Sequence, residues 1–248
     1  MEIYQRSEAF VEKDGDLEFA FTKLILRGPN NEFFYTTTTD RIGASSPVDI
    51  SQLQISPIPS DSIWPHYAPG LSLSPDPPPP NSYVKEPSLI DYGDTTTSLQ
   101  LSSQILHEAK ICELLKGHAH PNIATYIGCI VEGDRIKGLC FARYAMTLAQ
   151  RLRMETPFDK ERCLQGIESG IRHMHSLGLV HNDINPSNIM IDDADRPVII
   201  DFDSCQHEGD KLGVKTGTWG WSIEGAEYAQ RENDFLGLSK LKGYLESD

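Results

Sequence analysis

The spacing of apolar residues changes several times along the chain, and each change predicts an element. Residues 17–39 read LEFAFTKLILRG, a polar GPNNE turn and FFYTTTT, two aromatic and β-branched runs that predict a strand hairpin. A short strand is expected at Ser82–Lys85. Leu101, Ile105, Glu108, Cys112 and Leu115 then follow at steps of 4, 3, 4 and 3, which predicts a helix with Glu108 inside its apolar stripe. A carboxylate there is costly unless it is paired. That helix ends at Gly117 before His120-Pro121. Two apolar strands flank Glu132-Gly133-Asp134, and Leu164, Ile167, Ile171 and Met174 mark a helix that runs out near Gly178. Val198-Ile199-Ile200 is too short for a helix and reads as a buried strand. Asp234, Leu238, Leu241 and Leu245 share one face of a last helix, a second acid in an apolar stripe. The fold class is α+β.

Residues 44–81 break this patterning with ten prolines, four of them consecutive. Proline removes ladder donors and fixes φ, so the stretch is expected to be an extended connector. A semi-rigid linker packed by Ile63, Trp64 and Tyr67 is preferred over an SH3-type ligand. Within 248 residues at 39 % hydrophobic content, no apolar run approaches the ~20 residues of a membrane span. The first residues, MEIYQRSEAFVEKDGD, carry no basic-then-apolar leader pattern. Five scattered cysteines without a CxxC read as free buried thiols, and a net charge of −14 without a basic patch argues against a nucleic-acid partner. These features predict a soluble intracellular protein, cytoplasmic or nuclear, with no membrane partner.

Residues 181–203, HNDINPSNIMIDDADRPVIIDFD, carry the candidate chemistry. Asp183 and Asn188 stand five apart in a polar loop, and Asp201 closes the apolar strand eighteen residues after Asp183. An acid, an amide and a second acid at the ends of a strand hairpin suit phosphoryl transfer. One carboxylate orients and deprotonates the incoming hydroxyl, while the amide and the other carboxylate hold magnesium against nucleotide phosphates. Taken alone, the Asp183–Asn188 spacing is better read as an Asx-rich loop followed by a strand ending in a cap.

Together, the loop 181–188 and Asp201-Phe202-Asp203 resemble the catalytic loop and metal motif of the eukaryotic protein-kinase superfamily. The resemblance implies a bilobal kinase-like fold, with a small sheet-rich N-lobe at 82–144 and a shortened helical C-lobe at 145–248, preceded by a β-hairpin region at 1–43 and the connector at 44–81. It implies ATP and Mg2+ as cofactors, a protein substrate or partner, Asp183 as catalytic base with Lys85 also catalytic, and Asn188 and Asp201 as metal ligands. Lys85 becomes the phosphate-binding lysine, paired with Glu108. Tyr83 and Ala142 line the adenine site, with Ala142 at the gatekeeper position before a hinge near Arg143-Tyr144. HPNI resembles the loop after the kinase regulatory helix, Gly217-Thr218-Trp219 the substrate-facing loop, and Glu224 lies near the A-P-E position. Asp234 matches an aspartate that holds the catalytic-loop backbone. Only 14 residues follow it, so the helices that complete a kinase large lobe are not expected.

Four departures bear on activity. No G-x-G-x-x-G precedes Lys85. Tyr83 stands where kinases carry a small alanine and would either fill the adenine pocket or stack on the base. Asp203 replaces a glycine, and Asn185 replaces a lysine that would face the transferring phosphoryl. Asn182, in place of arginine, further implies no phosphorylation switch at the activation loop. Three functions stay open: an atypical kinase acting on a protein hydroxyl, a pseudokinase interaction module, and a small-molecule phosphotransferase of the aminoglycoside or choline kinase type.

Overall fold

The computed structural model describes residues 1–13, 15–43, 48–93, 101–213 and 217–246, so the first four residues of the proline-rich stretch lie outside it. The chain divides into Met1–His66 with Pro87–Ser103, and Tyr67–Glu86 with Gln104–Asp248. This division does not follow proline density. Both halves of the stretch carry apolar anchors, and each half is folded into the unit that buries its anchors.

In the first unit, β1 (Glu2–Lys13), β2 (Asp16–Arg27), β3 (Phe33–Thr38) and β4 (Ser56–Ile58) form one antiparallel sheet in chain order. Strand β1 has few buried side chains and is held mainly by its register with β2. After β4, the single turn α1 (Ser60–Ile63) buries Ile63 and delivers Trp64 edge-on to Phe33 at 6.3 Å. Ile25, Ile58, Leu89, Tyr92 and Leu101 complete this core.

The second unit begins with Tyr67, whose amide donates to Asp134 O at 2.7 Å. Strand β5 (Ser82–Lys85) is followed by α2 (Leu101–Gly117), β6 (Tyr126–Glu132) and β7 (Arg135–Ala142). The three strands form an antiparallel sheet of order β5-β7-β6, in which Tyr83 opposes Phe141 and Lys85 opposes Leu139. Against β6, the Ser74 amide donates to Cys129 O at 2.9 Å, and the Cys129 amide to Ser72 O at 2.8 Å. This close approach requires Gly128. A Cβ there would stand 2.5 Å from the Leu73 carbonyl carbon and 2.6 Å from the Ser74 nitrogen. Gly128→Ala is therefore expected to cost about 1–3 kcal/mol in chemical denaturation. Gly117→Ala, where an added Cβ meets nothing within 4 Å, should cost no stability.

The remaining elements are β8 (Met146–Thr147), α3 (Leu148–Arg151), α4 (Lys160–Ser176), β9 (Leu179–Val180), β10 (Ile189–Ile191), β11 (Pro197–Ile199), β12 (Gln206–His207) and α5 (Arg231–Glu246). Thr147 caps α3 through a capping box with Gln150, and Asp159 caps α4. Strands β11, β10 and β8 form a three-stranded sheet, and β12 pairs with β9. One core joins Ile105, Cys112 and Leu115 of α2 to Ile167, Ile171 and Met174 of α4, Ile189, Val198 and Ile199 of the sheet, and Leu241 of α5. All five cysteines are buried free thiols. Among the described residues, no helix is long and apolar enough to cross a membrane.

Candidate active site

Helix α2 turns the stripe read from sequence inward, and Glu108 is only 4 % exposed. Its carboxylate accepts two hydrogen bonds from Lys85 Nζ, at 2.7 and 2.8 Å. Lys85 arrives from β5, on the face that its cross-strand register with Leu139 defines. The same ammonium donates to Asp201 Oδ1 at 2.6 Å and lies 3.6 Å from Asp203 Oδ2. Burial disfavours the Lys85 charge, but Glu108, then Asp201 and Asp203, outweigh it and raise the pKa above the ordinary lysine value. Burial likewise raises the Glu108 pKa, against the opposing pull of Lys85. Glu108 also accepts the Phe202 amide at 3.2 Å, tying the helix to the Asp201-Phe202-Asp203 segment. Phe202 is buried edge-on against His181 at 5.8 Å.

Asp201 adopts φ 66° and Asn182 also φ 66°. Asp and Asn tolerate this left-handed region better than other side-chain-bearing residues, so both bends are written in residue type. The bend at Asn182 lies inside a fully bonded loop. Asp234, completely buried, accepts the His181 amide at 3.0 Å, the Asn182 amide at 2.8 Å and the His175 ring at 2.8 Å. The Asn182 side chain donates to Val180 O and Ser204 O and accepts from Asn233. Position 182 thus fills an interior role.

This scaffold presents Asp183. Its Oδ1 accepts from Asn185 Nδ2 at 3.0 Å and from the Thr218 amide at 2.8 Å, and its Oδ2 accepts from Asn188 Nδ2 at 2.9 Å. Asn185 also donates to Thr218 Oγ1 at 3.2 Å. Thr218 can approach because Gly217 sits at φ 95°, where a Cβ would stand 2.6 Å from Asn182 O. Asn188 is linked to the residues between β11 and Asp201, its carbonyl accepting the Ile200 amide at 3.0 Å.

A cavity of about 360 Å³ opens beside these groups, lined by Tyr83, Lys85, Ala124, Phe141, Ala142, Arg143, Tyr144, Met190, Ile200 and Asp201. Ala142 lines it as expected, and Phe141, which opposes Tyr83 and shares the Lys85 face, lines it too; the Ala142 amide donates to Thr125 O at 2.9 Å. Leu139, Cys140 and Phe141 are all buried, so alternation could not reveal which residue faces the cavity. Tyr83 itself lines the cavity while half exposed.

A family model described as the protein kinase domain matches residues 91–222, more than half of the chain. The chain belongs to the protein kinase family. Similar kinases include a probable LRR receptor-like serine/threonine-protein kinase of Arabidopsis thaliana, 29 % identical over 153 residues, covering 55 % of this chain and 15 % of that protein. The serine/threonine-protein kinase/endoribonuclease IRE1 of Hypocrea jecorina is 30 % identical over 122 residues, covering 41 % and 10 %. The serine/threonine-protein kinase SSK22 of Saccharomyces cerevisiae is 31 % identical over 112 residues, covering 44 % and 8 %. The chain thus spans a small fraction of these kinases. Among kinase-like features, the Thr218–Asp183 contact was absent from the sequence reading. Nothing local signals a bond between residues 35 apart.

Proposed function

We propose that this chain transfers a phosphoryl group from ATP to a protein hydroxyl, with magnesium as cofactor. The observation that carries the reading is the convergence of Glu108 and Asp201 on Lys85 at one end of a nucleotide-sized cavity. The serine/threonine-protein kinases among its relatives support a protein acceptor.

The donor set suits a hard dication. Asp201 offers carboxylate oxygen, and Asn188, whose amide nitrogen is held by Asp183, offers its amide oxygen. When bound there, magnesium supplies positive charge to the phosphate oxygens. The apolar walls Ala124, Phe141 and Met190 receive the base, and Lys85, kept as ammonium and aimed by Glu108, receives phosphate oxygen. Asp183 orients the acceptor hydroxyl and takes its proton, while Asn185 and the Thr218 amide keep the carboxylate aimed. Asn185 brings no positive charge to the transferring group, so turnover should be slow.

The pseudokinase reading draws support from the aromatic pair Tyr83 and Phe141, which lines the space a base would enter. Adding ATP with magnesium or manganese should stabilise the protein by roughly 2.7 kcal/mol at about 100 times the dissociation constant. Absence of any shift would reject nucleotide binding and favour the interaction module. Tyr83→Ala should weaken ATP binding by about 1–3 kcal/mol if the ring stacks on the base. Tighter binding by that variant in calorimetry would instead mark the ring as a plug.

A further inference from the structure

The proposed kinase reaction leaves Asp203 without a part. A glycine at this position would contribute no charge, yet here a carboxylate, with its side chain 12 % exposed, stands 3.6 Å from Lys85 Nζ. Its other oxygen accepts from Ser204 Oγ at 3.3 Å, so the group is held toward the lysine. Glu108 and Asp201 meet the same ammonium at 2.7 and 2.6 Å. Three carboxylates therefore converge on one lysine, and that lysine can offset one of the three charges. Any phosphate oxygen approaching Lys85 from the cavity meets Asp201, which lines it, and competes with Asp203 for the same ammonium.

We propose that Asp203 is a positioning residue that makes nucleotide binding conditional on a divalent cation: it competes with phosphate for Lys85 until a cation draws the Asp201 and Asp203 carboxylates away. This inference rests on the reading of the cavity as a nucleotide site. Asp203 acts through Lys85 and the cation and takes no part in bond making. In this arrangement a free tetra-anionic nucleotide meets like charge, whereas a divalent cation at Asp201 and Asp203 cancels the net negative charge of the cluster and frees Lys85 for phosphate.

The test compares the wild type with Asp203→Asn, Asp203→Gly and Asp203→Glu. Asparagine keeps the shape and the Ser204 contact while removing the charge. ATP affinity is measured by calorimetry in excess EDTA and in magnesium, and the melting temperature is measured with manganese alone. The ratio of the metal-free to the magnesium dissociation constant should fall on the order of tenfold in the Asn and Gly variants, through tighter metal-free binding. The Glu variant should retain the wild-type ratio, and the stabilisation by manganese alone should shrink in the Asn variant. An unchanged ratio in a folded Asn variant would overturn the proposal. A change in Gly but not in Asn would do so too, because it would reflect space and not charge. If ATP binds none of the proteins, the nucleotide reading fails. In that case the proposal falls with it, whereas an unchanged ratio in proteins that do bind ATP overturns the proposal and leaves the nucleotide reading standing.

Discussion

Asp183→Ala should lower phosphoryl transfer by about 10²–10⁴-fold, the usual contribution of a positioned general base, while nucleotide affinity stays within a few-fold of the wild type. The separation follows from geometry. Asp183 belongs to the loop that Asp234 fixes from behind, whereas Lys85 and the apolar walls of the cavity come from the sheet and from positions flanking the loop. Removing the carboxylate also deprives Asn185, Asn188 and the Thr218 amide of their shared acceptor. The loop should loosen somewhat, so Asp183→Asn is the better-matched companion. Autophosphorylation or ATP hydrolysis, measured beside calorimetric binding, checks the expectation. Equal turnover in wild type and both variants would remove Asp183 from the chemistry.

Lys85→Met should destabilise the second unit by about 3–5 kcal/mol and weaken ATP binding, because it leaves Glu108 ionisable in an apolar stripe without its partner. Glu108→Gln alone should also be costly, since it removes the negative charge and turns Oε2, an acceptor of Lys85, into an amide donor, while Oε1 can keep the Phe202 amide. The double variant should lose much less than the sum of the singles. Urea denaturation of all four proteins closes the cycle, and additive losses would show that the contact contributes no coupling energy. Asp201 and Asp203 remain beside residue 85 in either case, so some loss should persist in the double variant.

Glu108 shows why part of this site was legible in the chain. An acid repeated in phase with Leu101, Ile105, Cys112 and Leu115 has to be buried, and a buried acid needs a cation. Asp234 in the stripe of α5 follows the same logic, with backbone amides in place of a cation. Strand β1 was invisible for the opposite reason: its side chains are largely polar and exposed, and backbone pairing with β2 forms it. Phe141 in the cavity wall went unnoticed because residues 138–141 of β7 are all buried, which erases the alternation that sets a register. Proline density does not mark where one unit gives way to the other. Prolines limit which hydrogen bonds a segment makes, but Ile63, Trp64 and Tyr67 decide where it packs.

The segment 72–74 along β6 has a consequence for colloidal behaviour. An uncovered strand edge recruits other chains, and β6 would offer one with Cys129 at its middle. Here the covering segment spends its own donors inward: the Ser74 amide on Cys129 and the Ser72 amide on Glu113 of α2. Pro75 and the run from Pro77 to Pro80 then follow with no N–H to offer. The sheet is thereby covered on that side by a short strip that runs into prolines. A variant that frees this strip, such as Gly128→Ala, should scatter light on storage at concentrations where the parent stays clear.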